Sequence, residues 1–239
     1  AKAIGKVPVL SGVCFGFIGN RMFSEYGRET QLCLIEGASA EQIDRVMEEY
    51  GMAMGPLAVS DLAGIDIGYK VREGLSEEEK GDPRSFCVAD ALVDQGRLGQ
   101  KSGAGFYQYD PQTRARISDP EVSALVEAKA AEYGVERRDF TDEEIRDRLL
   151  LPLINEGAKI LQEGIAQRSG DIDVVYVFGY GFPVYHGGPM QYADHLGLDA
   201  VYKKLSALHQ ESGEDYWKPA DLIKTLAESG SSFAKWSQS

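Results

Sequence analysis

The sequence predicts an all-α protein made of two tandem copies of one helical unit. Three observations predict it. First, an ordered set of residues occurs twice. Asn20-Arg21, Ile35-Glu36-Gly37, Ile43-Asp44, Gly55-Pro56, Asp61 and Gly64-Ile65-Asp66 return as Asp147-Arg148, Gln162-Glu163-Gly164, Ile172-Asp173, Gly188-Pro189, Asp194 and Gly197-Leu198-Asp199. Second, the offset between the copies is the same at Arg21/Arg148 and at Glu36/Glu163. It widens slightly at Ile43/Ile172, then stays constant again from Gly55/Gly188 to Asp66/Asp199. Small insertions between stretches of constant spacing mark a duplicated structural unit. Third, helix punctuation is dense and no series of alternating strands occurs. The reading places a first helical copy at 1–112, a linker and connecting helix at 113–140, and a second, degenerate copy at 141–239.

The elements follow in order. Phe17 to Glu36 carries Ile18, Met22, Phe23, Tyr26, Leu32 and Ile35 at helical spacing and ends at Gly37, a residue suited to a left-handed cap. Ser39 with Gln42 forms a capping box that opens a helix to Tyr50, stopped by Gly51. Pro56 fits the first turn of a third helix, since a first-turn position needs no donor. Gly64 interrupts it, and helix resumes from Ile65 to Gly74. Ser76 to Pro83 is polar and reads as a surface loop. Phe86 to Asp94 is a short amphipathic helix. Gly96 to Tyr109 has no helical period and reads as a loop ending in an extended piece at Phe106 to Tyr109. Asp110 to Asp119 is a linker. Asp119-Pro120 opens a helix that ends at Gly134, and Thr141 with Glu144 caps a long one whose face carries Ile145, Leu149, Leu153, Ile154 and Ile160. The second copy then repeats the first: Ser169 to Phe178, Pro189 to Leu196, Leu198 to Glu211, and a final helix after Pro219.

Composition limits the function. The chain has 239 residues, 25 basic and 38 acidic, for a formal charge of −13. That opposes nonspecific binding to nucleic acid or to an anionic membrane, which needs a basic surface. No apolar run reaches the length of a membrane span. The three cysteines (Cys14, Cys33 and Cys87) form no CxxC pair and read as buried thiols in a reducing compartment. The three histidines (His186, His195 and His209) lie far from them, against a zinc site. The chain opens at Ala1 in mid-pattern and reads as a piece of something longer.

Familiar catalytic signatures are missing. Gly179-Tyr180-Gly181 has Val184 where a dinucleotide fingerprint needs its third glycine, and Gly103-Ala104-Gly105 has Gln108. No G-x-S-x-G, P-loop or H-E-x-x-H occurs.

Three ordered motifs and the second copy carry a resemblance. Gly16-Phe17-Ile18-Gly19-Asn20-Arg21 resembles the G-F-I-x-N-R segment that opens the C-terminal helical domain of 3-hydroxyacyl-CoA dehydrogenases. Gly55-Pro56-Leu57 with Asp61-Leu62-Ala63-Gly64-Ile65-Asp66 is similar to that domain's M-G-P…D…G-x-D stretch, and the run from Gly96 to Tyr107 to its G-R-x-G-x-K-x-G-x-G-F-Y segment. The second copy, with Asn155-Glu156, Gly179 to Pro183 and His186-Gly187-Gly188-Pro189, resembles the tandem domain of multifunctional β-oxidation enzymes, which fuse an enoyl-CoA hydratase to the dehydrogenase.

The resemblance implies two copies of a 6-phosphogluconate dehydrogenase C-terminal-like helical domain. It implies NAD bound by a Rossmann domain upstream, and a catalytic His oriented by a Glu in that same upstream part. The implied activity is NAD-dependent oxidation of a (3S)-3-hydroxyacyl-CoA, with this chain inactive alone. The implied partners are the acyl-CoA substrate, the upstream NAD-binding and hydratase domains of the same polypeptide, and a second copy in a homodimer. Asn20 matches an active-site Asn of the family. An amide there donates to a substrate oxygen without titrating. Its counterpart, Asp147, lacks the amide, which leaves the site in the first copy.

Other residues keep two readings. Met54, Gly55 and Pro56 line the acyl pocket by the resemblance, or simply form a fixed turn. Lys101 contacts a phosphate, or is a solvated loop lysine. Arg21 and Arg148 recur together with Asp61 and Asp194. That favours a repeated Arg–Asp ion pair between helices over an Arg gripping CoA phosphate, which one copy could supply. His186 reads as structural, with no assigned role for it or for His195. The competing function is a stand-alone helical module for assembly or acyl-CoA binding. The ending Lys235-Trp236-Ser237-Gln238-Ser239 is not an S-K-L-type signal, so if Ser239 is the natural end the expectation is a bacterial cytoplasmic protein rather than a peroxisomal one.

Overall fold

The structure is a computed structural model and describes residues 2–236; Ser237, Gln238 and Ser239 of the C-terminal segment lie outside the described residues. Thirteen α-helices are present among them. They are α1 (Gly19–Glu36), α2 (Ala40–Tyr50), α3 (Pro56–Ala63), α4 (Asp66–Glu73), α5 (Glu77–Lys80), α6 (Cys87–Asp94), α7 (Pro120–Glu132), α8 (Asp142–Gln162), α9 (Ser169–Gly179), α10 (Pro189–Leu196), α11 (Leu198–Ser212), α12 (Asp221–Glu228) and α13 (Phe233–Trp236). A two-stranded antiparallel sheet joins β1 (Gln108–Tyr109) to β2 (Arg116–Ile117). The protein is all-α, as the helical periodicity and the scarcity of strands predict.

The chain divides into two compact units, neither of them a single stretch. One comprises Ala1–Tyr26, Gly51–Ala53 and Leu149–Ser239; the other comprises Gly27–Tyr50 and Met54–Arg148. Helix α1 gives its first turns to the former and the rest to the latter. Helix α8 gives its first turns to the latter and the rest to the former.

The unit built mainly from the first copy has its core on α1, α2, α3, α6 and α7, with Leu32, Cys33, Ile35, Ile43, Met47, Leu57, Leu92 and Val126 buried. Asp44 on α2 fixes the start of α3: its carboxylate accepts from the backbone N–H of Leu57 (2.8 Å) and Ala58 (3.0 Å). Those are orphan first-turn donors that every helix must satisfy. Gly55 precedes them because a Cβ there would lie 2.3 Å from the Asp44 side chain.

The other unit repeats the device. Asp173 on α9 accepts from Met190 (2.8 Å) and Gln191 (3.2 Å) at the start of α10. Its core holds Ile18, Met22, Tyr26, Leu153, Ile154, Ile172, Tyr176, Val201, Leu205 and Ile223.

Several expectations are corrected. The Ser76 to Pro83 stretch is not only loop. Ser76 and Glu79 form a reciprocal capping box and open the one-turn helix α5, followed by a 3-10 turn at Pro83–Ser85. The Asp110 to Asp119 linker contains β2, held because Gln108 and Tyr109 need partners for their extended backbone. Ser39 caps Gln42 N at 3.1 Å, but the box is half formed, since Gln42 Nε2 donates to the Phe140 carbonyl instead. Cys14 is half-buried, whereas Cys33 and Cys87 are buried.

Candidate functional site

Asn20 stands in the first turn of α1, exposed to solvent. The turn before it is tightly determined. Gly16 has φ +71°, and a Cβ there would fall 2.6 Å from the Arg21 backbone nitrogen. Phe17 follows at φ +52°, in the left-handed region that a bulky residue seldom occupies. Asn20 N then donates to Gly16 O (3.1 Å). The approach to this turn is apolar and open: Val13 is 88% exposed, Phe15 75% and Phe17 55%.

Two tyrosines from α9 and the residue after it hold the start of α1. Tyr176, buried, donates through Oη to the Gly19 carbonyl (3.2 Å). Tyr180 stacks on Tyr176 with ring centroids 4.9 Å apart, and its Oη donates to Asn20 Oδ1 at 2.5 Å. Gly19 is the residue this packing demands, because a Cβ there would lie 2.4 Å from the Tyr180 ring. Burial pushes the Tyr180 phenol up from its ordinary range, so it stays protonated and able to donate.

The expected Arg–Asp pairs are absent, and a different network replaces them. Arg21 Nε donates to Glu156 (2.7 Å), and its two terminal nitrogens clasp Glu163 (2.6 and 2.8 Å). Arg148 donates to Glu29 (2.6 Å) and Glu36 (2.8 Å). The aspartates serve backbone instead. Asp61 accepts from Phe106 N (2.9 Å), Tyr107 N (3.1 Å) and Tyr109 Oη (2.9 Å). Asp194 accepts from Phe233 N (2.8 Å) and Ala234 N (3.0 Å). A planar guanidinium suits carboxylate pairs, while a carboxylate beside bare backbone amides is already satisfied.

Of the other candidate residues, Met54, Gly55, Pro56 and Lys101 all lie in the unit that does not contain Asn20. Gly55 and Pro56 are buried and Met54 is half-buried, so Met54 is the one whose side chain reaches the surface. Lys101 is exposed and pairs with Asp66, which Lys70 also grips at 2.9 Å. Lys101 first and Lys70 second hold the Asp66 carboxyl down at about 2.

Two concavities lie elsewhere on the surface. One, of about 530 Å³, is lined by Gln42, Arg45, Tyr107 and Arg116. Its arginines are engaged by Asp142 and by Asp44 with Glu48. The other, of about 210 Å³, holds His186 and His195 with Tyr185 and Tyr192. Among the described residues no group of three or more His, Cys, Asp or Glu side chains is arranged to hold a metal ion. No helix among them is long and apolar enough to cross a membrane.

Tyr180 has no site role in the sequence reading, where it falls in a failed dinucleotide fingerprint and in the Gly179 to Pro183 run of the family resemblance. The signal was available in the repeat. Helices α2 and α9 have the same length, and the residue after each is Gly51 and Tyr180 respectively. The copies therefore differ at Asn20/Asp147 and at Gly51/Tyr180 together.

The model of the 3-hydroxyacyl-CoA dehydrogenase C-terminal domain matches residues 16–109 and 145–237, one segment per copy. The chain belongs to this family. It is 42% identical over 249 residues to the peroxisomal bifunctional enzyme of Danio rerio, with 98% of this chain and 35% of that protein aligned. The human peroxisomal bifunctional enzyme is 41% identical, over 96% of this chain and 34% of its own length. The fatty acid oxidation complex subunit alpha of Idiomarina loihiensis is 36% identical, over 98% and 32%. The chain thus spans about a third of the length of these relatives. The dehydrogenase part of multifunctional enzyme 1 from C. elegans superposes with a TM-score of 0.73 at 29% identity, covering 94% of this chain and 50% of that one. A 3-hydroxybutyryl-CoA dehydrogenase from Escherichia coli shares the fold at 23% identity, with a TM-score of 0.72. The family resemblance and the all-α tandem fold expected from the sequence both hold.

Proposed function

We propose that this chain is the C-terminal part of an NAD-dependent (3S)-3-hydroxyacyl-CoA dehydrogenase of fatty-acid β-oxidation, inactive alone, and that it completes the substrate cleft and contributes to a domain or subunit interface. The observation that carries this is the presentation of Asn20. Its Oδ1 is taken by Tyr180, so the Nδ2 hydrogens are the face left to solvent, at the edge of an exposed apolar approach. An amide donor held there orients a substrate oxygen at any neutral pH, and fixed orientation lowers the barrier to a reaction carried out by other groups.

Met54, with the Gly55-Pro56 turn, lines the acyl channel in this proposal, and Lys101 reaches a phosphate of CoA by exchanging partners with Asp66. NAD belongs to an upstream domain. The described residues do not fit it: Gly179-Tyr180-Gly181 ends a helix rather than joining a strand to one, and the sheet is a two-residue antiparallel pair. The relatives include peroxisomal enzymes and a bacterial complex subunit; for the full-length protein we propose the bacterial cytoplasm, and fractionation of the source cells checks it.

The test is the full-length enzyme with Asn20→Ala, assayed with acetoacetyl-CoA and NADH. The expected result is a fall in kcat of about 100-fold, the usual scale for removing one positioned donor. Wild-type turnover in that variant would overturn the role of Asn20.

A further inference from the structure

We propose that Tyr180 is a positioning residue for the reaction: its hydroxyl fixes the Asn20 amide with Nδ2 outward, so that the second copy sets the donor that the first copy presents. The proposal rests on the reading of Asn20 just given. Three independent features converge on it. The Tyr180 Oη to Asn20 Oδ1 distance is 2.5 Å, at the short end for a neutral O–H···O bond, and an amide can offer only its oxygen to a donating phenol. The ring is itself locked, stacked on Tyr176 and tilted against Phe23 at 5.6 Å, with Gly19 leaving it room. A side chain so held has little freedom to lose when substrate arrives.

The third feature is the broken symmetry of the repeat. Packing devices are kept in both copies: Asp44 and Asp173 cap equivalent helices, and Asp61 and Asp194 hold equivalent backbones. The Asn–Tyr pair is kept in neither of its parts. Asp147 stands for Asn20, Gly51 for Tyr180, and Arg146 for the Gly19 that admits the ring. A merely structural contact would be expected to recur with the other structural contacts. A pair present in one place, with both members and their spacer changed together in the other, belongs to what that one place does.

The experiment is a double-mutant cycle in the full-length enzyme: Asn20→Ala, Tyr180→Phe, and both together. Tyr180→Phe keeps the stacked ring and removes only the hydroxyl. It is expected to lower kcat about 10-fold with KM within twofold, because orientation is lost while binding is not. In the Asn20→Ala background the same change is expected to alter kcat by less than twofold, since its target is gone. Gly19→Ala is the second variant. Its methyl pushes the Tyr180 ring aside without removing a polar group, and kcat is expected to fall comparably.

If Tyr180→Phe turns over at the wild-type rate while Asn20→Ala is crippled, the positioning role is overturned and the Asn20 role survives. If Tyr180→Phe costs the same factor in both backgrounds, its hydroxyl acts elsewhere and the proposal falls. Wild-type turnover by Asn20→Ala sinks the parent reading and this inference with it.

Discussion

Arg21 and Arg148 occupy the same place in the two copies, and each grips the two glutamates that belong to the other's copy. Arg21 bonds Glu156 and Glu163; Arg148 bonds Glu29 and Glu36. Glu29 and Glu156 are equivalent positions of the repeat, as are Glu36 and Glu163. The exchange is therefore reciprocal, and it lies in the long helices α1 and α8, with Glu163 just past the end of α8.

The two arginines are not equally costly to lose. Glu29 is fully buried, with Arg28 3.4 Å from it, so Arg148→Ala removes the closer of its two cations from a charge held away from water. We expect a loss of about 3–5 kcal/mol. The Glu163 side chain is 48% exposed, and water can take over much of the role of Arg21. Arg21→Ala is expected to cost about half as much or less. Urea unfolding of both variants checks the order; a larger loss at Arg21 would contradict it.

Asp173 makes stability depend on pH. Burial pushes its carboxyl up to about 7, against the two backbone donors it accepts, with Asp194 adding repulsion. The folded state holds this proton more tightly than the unfolded chain does. Its contribution is whole below pH 4 and is lost as pH rises toward 7, by at most about 4 kcal/mol. Asp173→Asn cannot titrate. Unfolding free energies measured at pH 4.5, 6 and 7.5 are expected to decline more steeply in the wild type than in the variant. Parallel slopes would refute the assignment.

Gly105 is excluded from substitution by Asp61. A Cβ at position 105 would lie 1.9 Å from Asp61 Oδ1, which is pinned by the Phe106 and Tyr107 amides and the Tyr109 hydroxyl. Gly105→Ala is expected to destabilise the protein by about 2–4 kcal/mol, the range for breaking a buried network. A melting temperature indistinguishable from wild type would show that the loop gives way freely.

The chain alone is expected to show no turnover of acetoacetyl-CoA with NADH. An antibody raised to it is expected to detect, in the source cells, a protein near three times its 26.2 kDa, since relatives align over about a third of their length. Turnover by the isolated chain would defeat the proposed dependence on an upstream domain. A cellular band at the mass of the chain itself would favour a stand-alone module.

The helical architecture was legible in the sequence because it rests on local signals. Gly37, Pro56, Thr141 with Glu144, and Asp119-Pro120 act within one turn of chain, and each ends or begins a helix where expected. The repeat was legible for the same reason. What escaped was pairing at a distance. Arg21 and Asp61 recur at regular spacing, yet regular spacing does not say which partner faces which, and both glutamates and backbone amides were available. Helix α13 was also missed. Phe233 repeats Phe106 at the same offset that relates Arg148 to Arg21, but the glycines that flag the first copy are gone. Only the shared bonds to Asp194 and Asp61 reveal the equivalence. Asn20 was reached by resemblance alone. Its partner Tyr180 lies far along the chain in the other copy, and the joint difference at Gly51/Tyr180 is its one trace in the sequence.

The division of α1 and α8 between units has a practical consequence for anyone cutting this gene. A break anywhere in 113–140 leaves one fragment with the first turns of α1 but no Glu156 or Glu163 for Arg21, and the other with Arg148 but neither of its glutamates. Neither fragment should fold well by itself. Co-expressed, the two carry complementary halves of both units, which makes that stretch a natural place to build a split reporter whose signal returns only when the halves meet.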